Sequence, residues 1–236
     1  QNIDTTTSSL ISKTNRNTSS SSNFQNFGGQ LSYKHNFAKN GHNIGADVNY
    51  NSSKNDNETN INSLIYNSGG VQKYPLFQQK SVGNGYNKFL TLQTDYENQI
   101  SENKKFEVGA RAALRDFGTD IYQYINNNSS VNNFVLSSRS SSRYKFNDQV
   151  FAVYSTYSFK HKKFSYQLGL RVESSNYTGK LFTLAGVDSN TFKVNFPLSL
   201  FPSAFITYKA TDKQDLQLNY SRRVNRPNFF QLLPAY

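Results

Sequence analysis

The chain has 236 residues, no cysteine and a net charge of +11, with only 36% apolar residues but 15% aromatic ones (16 Tyr and 19 Phe). The lack of cysteine excludes a disulfide framework and a thiolate metal site, and no apolar run approaches the roughly 20 residues of a spanning helix. So much tyrosine and phenylalanine does not suit a disordered chain, although Asn and Ser make up about a quarter of the sequence. A polar chain rich in aromatics suits a transmembrane β-barrel, with polar lumen and turns and aromatic girdles. The absence of Trp is a departure from that pattern, because girdles commonly use it.

Residues 1–23 are dominated by Ser, Thr and Asn without a period and read as a polar loop or frayed end. A first strand is expected from Phe24 to Phe37, followed by an Asn40-Gly41 hairpin signal. Ile44, Ala46, Val48 and Tyr50 then alternate with polar residues. Residues 51–85 read as a long polar connection. Beyond it Leu90, Leu92, Thr94 and Tyr96 share one strand face, with Thr91, Gln93, Asp95 and Glu97 on the other. A turn at Ser101–Lys104 leads to Phe106, Val108, Ala110, Ala112 and Leu114, interleaved with Glu107, Gly109, Arg111, Ala113 and Arg115.

A second long connection is expected over 118–147. The strand 149–159 is apolar on both faces, with Phe151, Val153 and Tyr157 against Ala152 and Tyr154, so its facing stays open. The Lys160-His161-Lys162-Lys163 turn precedes Phe164, Tyr166, Leu168, Leu170 and Val172, which alternate with Ser165, Gln167, Gly169, Arg171 and Glu173. A third connection, 174–195, leads to Leu200–Tyr208, a turn at Thr211–Lys213, and Gln214-Asp215-Leu216-Gln217-Leu218-Asn219-Tyr220-Ser221-Arg222-Arg223-Val224-Asn225-Arg226-Pro227. Proline cannot donate to a ladder, so that last strand should stop at Arg226-Pro227. Short turns at one end and long loops at the other give the layout of an outer-membrane barrel, with short turns periplasmic and long loops extracellular.

The final alternating strand with Tyr-Ser-Arg-Arg-x-Asn-Arg-Pro resembles the barrel of TonB-dependent outer-membrane receptors. Phe151–Ser158 followed by Phe164–Glu173, and Phe201-Pro202-Ser203-Ala204 before the last hairpin, are similar to the same barrels. The likeness covers about 149–234; Gln231-Leu232-Leu233-Pro234-Ala235 is looser than the family's Leu-Asn-Pro-Phe. The expected fold class is all-β: a transmembrane antiparallel β-barrel, here about eight strands of a 22-stranded type, with residues 24–236 forming part of one barrel domain. A self-contained eight-stranded barrel is the competing architecture, since that number closes by itself.

The resemblance implies energised uptake of a scarce nutrient, without covalent chemistry, in the outer membrane of a Gram-negative bacterium. Its partners would be outer-membrane lipid and lipopolysaccharide, the TonB complex acting through a plug absent from this chain, and a surface lipoprotein. Two other readings are a non-transporting barrel serving as a structural or secretion-associated scaffold, and a soluble β-sandwich adhesin or glycan-binding module.

No catalytic site or cofactor is expected. His35, His42 and His161 lie at or near turns and lack ligand spacing. Asp95-x-Glu97 is a same-face carboxylate pair that, with Glu107, Arg111, Arg115, Arg171 and Glu173, reads better as the lining of a hydrated lumen or a contact to a plug than as an acid–base pair. Gly83-Asn84-Gly85 lacks the strand-to-helix context of a phosphate loop. The basic residues are scattered, which argues against a nucleic-acid groove. If Leu216, Leu218 and Tyr220 face lipid, parity puts Arg222 outside, towards lipopolysaccharide, and Arg223 on the lumen side. Arg222 would stand about 20–25 Å above the turn once strand tilt is allowed for.

Overall fold

The computed structural model describes residues 2–3, 10–126 and 133–224, with side chains from Ser12 onward within those ranges. These residues build one antiparallel sheet: β1 (Asn2–Ile3), β2 (Leu10–Asn36), β3 (His42–Asn67), β4 (Phe77–Ser101), β5 (Lys104–Asn126), β6 (Val135–Leu136), β7 (Ser142–His161), β8 (Phe164–Phe182), β9 (Asp188–Thr211) and β10 (Gln214–Ser221). The strands lie side by side in chain order, except that the two-residue β6 pairs with β5 off the main path. Neither β1 nor β2 pairs with β10 among the described residues. Among the described residues there is one layer and no second sheet, which removes the sandwich reading.

The expected turns are present and all lie at one end. β4 and β5 meet at Glu102-Asn103, β7 and β8 at Lys162-Lys163, and β9 and β10 at Asp212-Lys213. Between β2 and β3 the Asn40-Gly41 signal forms the bend, with Gly41 at φ 69° as the left-handed position demands.

The stretches read as long loops are a different matter. Most of 51–85, 118–147 and 174–195 is strand, and so are residues 10–23 of the expected frayed end. The connections at that end shrink to 68–76 and 183–187, while β5 runs on to Asn126 and β7 begins at Ser142. Hydrophobic period fails to mark these segments because no apolar face has to be buried there. Once a hairpin has started, each further rung adds two backbone hydrogen bonds at little extra loop entropy. Polar side chains pair across the rungs: Ser22 Oγ donates to Asn57 Oδ1 (2.8 Å), Ser20 Oγ and Thr59 Oγ1 lie 3.1 Å apart, and Gln123 Nε2 donates to Ser81 Oγ (2.8 Å).

In a one-layer sheet nothing packs on either face, so differences in burial report curvature: side chains crowd on the concave face and splay on the convex one. Phe146, Asp148 and Ala152 of β7, Glu173, Ser175 and Tyr177 of β8, and Thr91 of β4 are buried, and the register puts them on one face. On the other face Leu92, Phe151, Val153, Leu168, Leu170, Leu200, Leu216 and Leu218 are all exposed. An apolar face left open and a polar face turned inward is the reverse of a water-soluble sheet, and it is the arrangement a lipid solvent selects. The open question of β7 is thereby resolved: Phe151, Val153 and Tyr157 point out, and Ala152 and Tyr154 point in.

The outward apolar band has two borders. Next to the short turns runs an aromatic row. Phe37 stacks on His42 at 4.1 Å, His42 meets Tyr96 edge-on, Phe159 stacks on Tyr166 at 4.7 Å, and Phe164 lies 4.8 Å from Tyr208. His42 Nε2 and Tyr96 Oη are 2.8 Å apart, so this histidine belongs to the girdle as well as to its turn. Along β8 the band runs from Phe164 to Val172, about 26 Å at 3.3 Å per residue. With strand tilt this becomes about 20 Å, close to the hydrocarbon height a barrel presents.

Beyond the second border the two faces exchange character. Outward positions on β7 become Gln149, Asn147, Lys145 and Arg143, while inward ones become Asp148, Phe146 and Tyr144. There Phe146 and Tyr177 are almost fully buried under Phe117, Tyr144, Leu181, Phe192 and Val194. An apolar residue gains nothing by facing water, so it turns in where the lipid ends.

Candidate functional site: the inward wall of the barrel

The inward face of the apolar zone carries the charges. Asp95 (β4) opposes Gly109 (β5), which opposes Tyr154 (β7) and then Arg171 (β8). Gly109 leaves the space that lets the Tyr154 ring lean across to the carboxylate; an added Cβ would stand 2.5 Å from that ring. The Tyr154 hydroxyl donates to Asp95 Oδ1, and Gln93 Nε2 donates to Oδ2 at 2.8 Å. The Arg171 guanidinium lies 5.6 Å from the Tyr154 ring centroid and binds Glu173 through Nε (2.9 Å) and Nη2 (2.8 Å). Glu173 is 3% exposed; two bonds to one guanidinium are what make such burial of a carboxylate tolerable.

Two further groups flank this line. Near the short turns Lys105 Nζ bridges Glu97 and Glu107, 2.9 Å from each. Towards the far end Arg115 pairs with Asp148 and lies 5.6 Å from the Phe117 ring centroid, joining the charged wall to the aromatic cluster above. Arg111 is exposed on the same face, between Gln93 and Ala152 in register, and makes no salt bridge with another described residue.

Asp95, Glu97, Arg111, Arg115, Arg171 and Glu173 thus share one face. Asp95 and Arg171 belong to one network with Glu173; Glu97 and Arg115 each have a separate partner. Arg222 and Arg223 follow the end of β10 and are exposed. Arg222 N still donates to Pro202 O at 3.1 Å, which continues the pairing and sets Arg222 level with Pro202. Arg226, Pro227 and the Leu233-Pro234 pair lie outside the described residues.

Tyr154, Asp148 and Lys105 complete the wall, and period alone did not single them out. A signal for Tyr154 exists in hindsight: a lone Gly109 in a well-patterned strand marks a place where a large neighbour leans across. In the zone beyond the band, burial pushes the Tyr144 phenol up from its ordinary range, and burial, then Asp116, does the same for Tyr86. Both remain neutral hydrogen-bonding groups. Among the described residues no group of three His, Cys, Asp or Glu side chains is placed to hold a metal.

Such a face offers fixed charge and hydrogen bonds to whatever fills the space it encloses, and an open apolar exterior to lipid. The model of the outer membrane protein β-barrel family matches residues 35–236. The chain belongs to that family. Its place is therefore the outer membrane, and the apolar outward band is its lipid contact. Among solved structures it is similar to the ferric citrate transporter FecA in its unliganded form, at 14% identity and a TM-score of 0.42, over 76% of this chain and 27% of that one. The chain spans about a quarter of that transporter's length. None of the curated proteins matches it.

Proposed function

We propose that this outer-membrane sheet is a wall segment of a large, ligand-admitting barrel of the TonB-dependent receptor type, which takes up a scarce nutrient with energy delivered through TonB. The observation that carries this reading is the inward wall. Among the described residues seven strands of 19–27 residues and the eight-residue β10 follow one another without β2 meeting β10, and the face they enclose bears charged pairs and an exposed Arg111. A barrel closed at eight strands fills its interior with side chains, whereas a wider one leaves a lumen in which such charges face water, a plug or a ligand. Among the described residues β2 beyond its short pairing with β1, and the outer edge of β10, have no strand neighbour, and open edges do not persist in lipid. Asp95, Glu97, Arg111, Arg115, Arg171, Glu173 and Arg223 are the residues we assign to lumen or plug, and Arg222 to lipopolysaccharide.

The test is uptake by the native host. Deleting the gene should abolish growth on one limiting nutrient at low concentration, and removing TonB or collapsing the inner-membrane proton gradient should reproduce the defect. Uptake that persists without TonB, or growth unaffected on every limiting nutrient, would leave a scaffold barrel as the better reading.

A further inference from the structure

We infer that the inward wall of β2–β4, beyond the level of the Asp95 network, is a binding site for a neutral oligosaccharide; this names a substrate class for the proposed ligand-admitting barrel and rests on that reading. The first sign is how charge is sorted. Over residues 19–30 of β2, 49–60 of β3 and 80–91 of β4 the register is unbroken, and alternate positions face in and out. This stretch holds Lys54, Asp56, Glu58, Lys80 and Lys88, and every one of them faces out. The inward positions on the same rungs carry no charge. Contact with water alone would not clear one face of charge. At the same height the neighbouring wall does carry it, since Phe89 opposes Arg115, which pairs with Asp148.

Amides and rings stand inward instead. A hollow of about 370 Å³ opens at Gly28, bordered by the side chains of Gln30, Asn49, Asn51 and Phe89. Two inward rungs further out, Phe24 is 66% exposed on this polar face and opposes Asn55, which opposes Gly85. Glycine makes the room in both places. An added Cβ at Gly28 would stand 3.0 Å from Asn51 Nδ2, and one at Gly85 would stand 2.6 Å from Asn55 Oδ1. Gly83 and Gly85, which fit no phosphate loop, thus serve as a floor that a ligand can approach closely.

The amides are also unspent. Asn26, Asn49, Asn51, Asn55 and Asn87 make no side-chain hydrogen bond with another described residue. Each carboxamide offers two donor hydrogens and an acceptor oxygen, and a sugar hydroxyl both donates and accepts. The C–H face of a pyranose ring packs on an exposed phenyl ring such as Phe24 or Phe89. A charged side chain covered by an uncharged ligand would lose its hydration without gaining a counter-charge, which accounts for the sorting. From the Phe89 rung to the Phe24 rung is about 13 Å along the strand, so the wall suits several linked sugars better than one.

The experiment reads binding without TonB or an energised membrane. A failed site therefore leaves uptake open, and uptake without TonB leaves the site standing. The full-length protein, purified in detergent, is incubated with maltohexaose, cellohexaose, laminarihexaose, mannohexaose or N-acetylated chitohexaose, and with hexagalacturonate and ferric citrate as anionic comparators. Retained molecules are counted by native mass spectrometry. At least one neutral hexamer should be retained in preference to both anions. Asn51→Asp, which removes donors and adds a charge at equal size, should weaken that retention by about tenfold. Phe24→Ala, which removes an exposed ring, should weaken it by about tenfold as well. K54Q/K88Q, on the outward face of the same rungs, should retain the sugar as the wild type does. Each variant should keep the heat-dependent shift in gel mobility that reports a folded barrel. Retention of no neutral hexamer, equal retention of either anion, unchanged retention by both folded inward variants, or an equal loss in K54Q/K88Q would overturn the site.

Discussion

Tyr154 shows how much one side chain can organise on the inward wall. Its hydroxyl is one of two donors to Asp95, and its ring backs the Arg171 guanidinium that neutralises buried Glu173. Tyr154→Phe keeps the ring and removes the donor, so it should cost about 1–2 kcal/mol, the value of a hydrogen bond to a partly exposed charged group. The measurement is urea unfolding of the protein reconstituted in lipid vesicles; an unchanged midpoint would show that water replaces the hydroxyl. Glycines give a second test at this scale. A Cβ at Gly179 would run into the Phe192 ring, whereas one at Gly29 meets nothing within 4 Å. Gly179→Ala should therefore lower stability by about 1–3 kcal/mol through displacement of Phe192 from the Phe146–Tyr177 cluster. Gly29→Ala should leave it nearly unchanged. The charged members of the wall were legible because charges alternating with apolar residues announce a face. Tyr154 was not legible in the same way, because an aromatic residue fits either side of a barrel strand.

The elements were readable where membrane and period coincide. β10, β8 and the lower halves of β4 and β5 alternate cleanly because one face meets lipid and the other does not. β7 defeated the same reasoning: its inward row contains Ala152 and Tyr154, which look apolar in sequence. The row is inward because Ala152 lies between Arg111 and Glu173 in register. Parity across neighbouring strands, not hydropathy within one, decides the facing. This makes a depth-dependent prediction. Val153→Arg puts a charge on the outward face inside the apolar band and should cost about 2–4 kcal/mol, while Thr178→Arg, outward but beyond the band, should cost about 0–1 kcal/mol. Both are read as shifts in the unfolding midpoint in vesicles. Equal costs at the two sites would mean that the band does not mark the hydrocarbon.

For the molecule as a whole, fold class and the end bearing the short turns were legible from composition, aromatic content and turn spacing. The reach of the strands was not. Sequence period ends where lipid ends, yet the backbone ladder continues, so stretches that looked like loops of 20–35 residues became strand carried past the second border. Strands of 19 to 27 residues far exceed the 9–11 that cross a bilayer, and the exchange of apolar residues from the outward to the inward face marks where the excess begins. Which side that excess occupies follows from the turns. Barrels keep their tight turns in the periplasm and extend the other end outside, so the 183–187 hairpin should stand outside the cell and Lys162-Lys163 inside the envelope. These 236 residues hold no cysteine, so single substitutions in them, made in the full-length protein with any cysteine elsewhere replaced, report this cleanly. On intact cells a membrane-impermeant maleimide should label Ala185→Cys fully and Lys162→Cys only after the outer membrane is permeabilised. Labelling of Lys162→Cys on intact cells, with Ala185→Cys protected, would invert the molecule in the membrane.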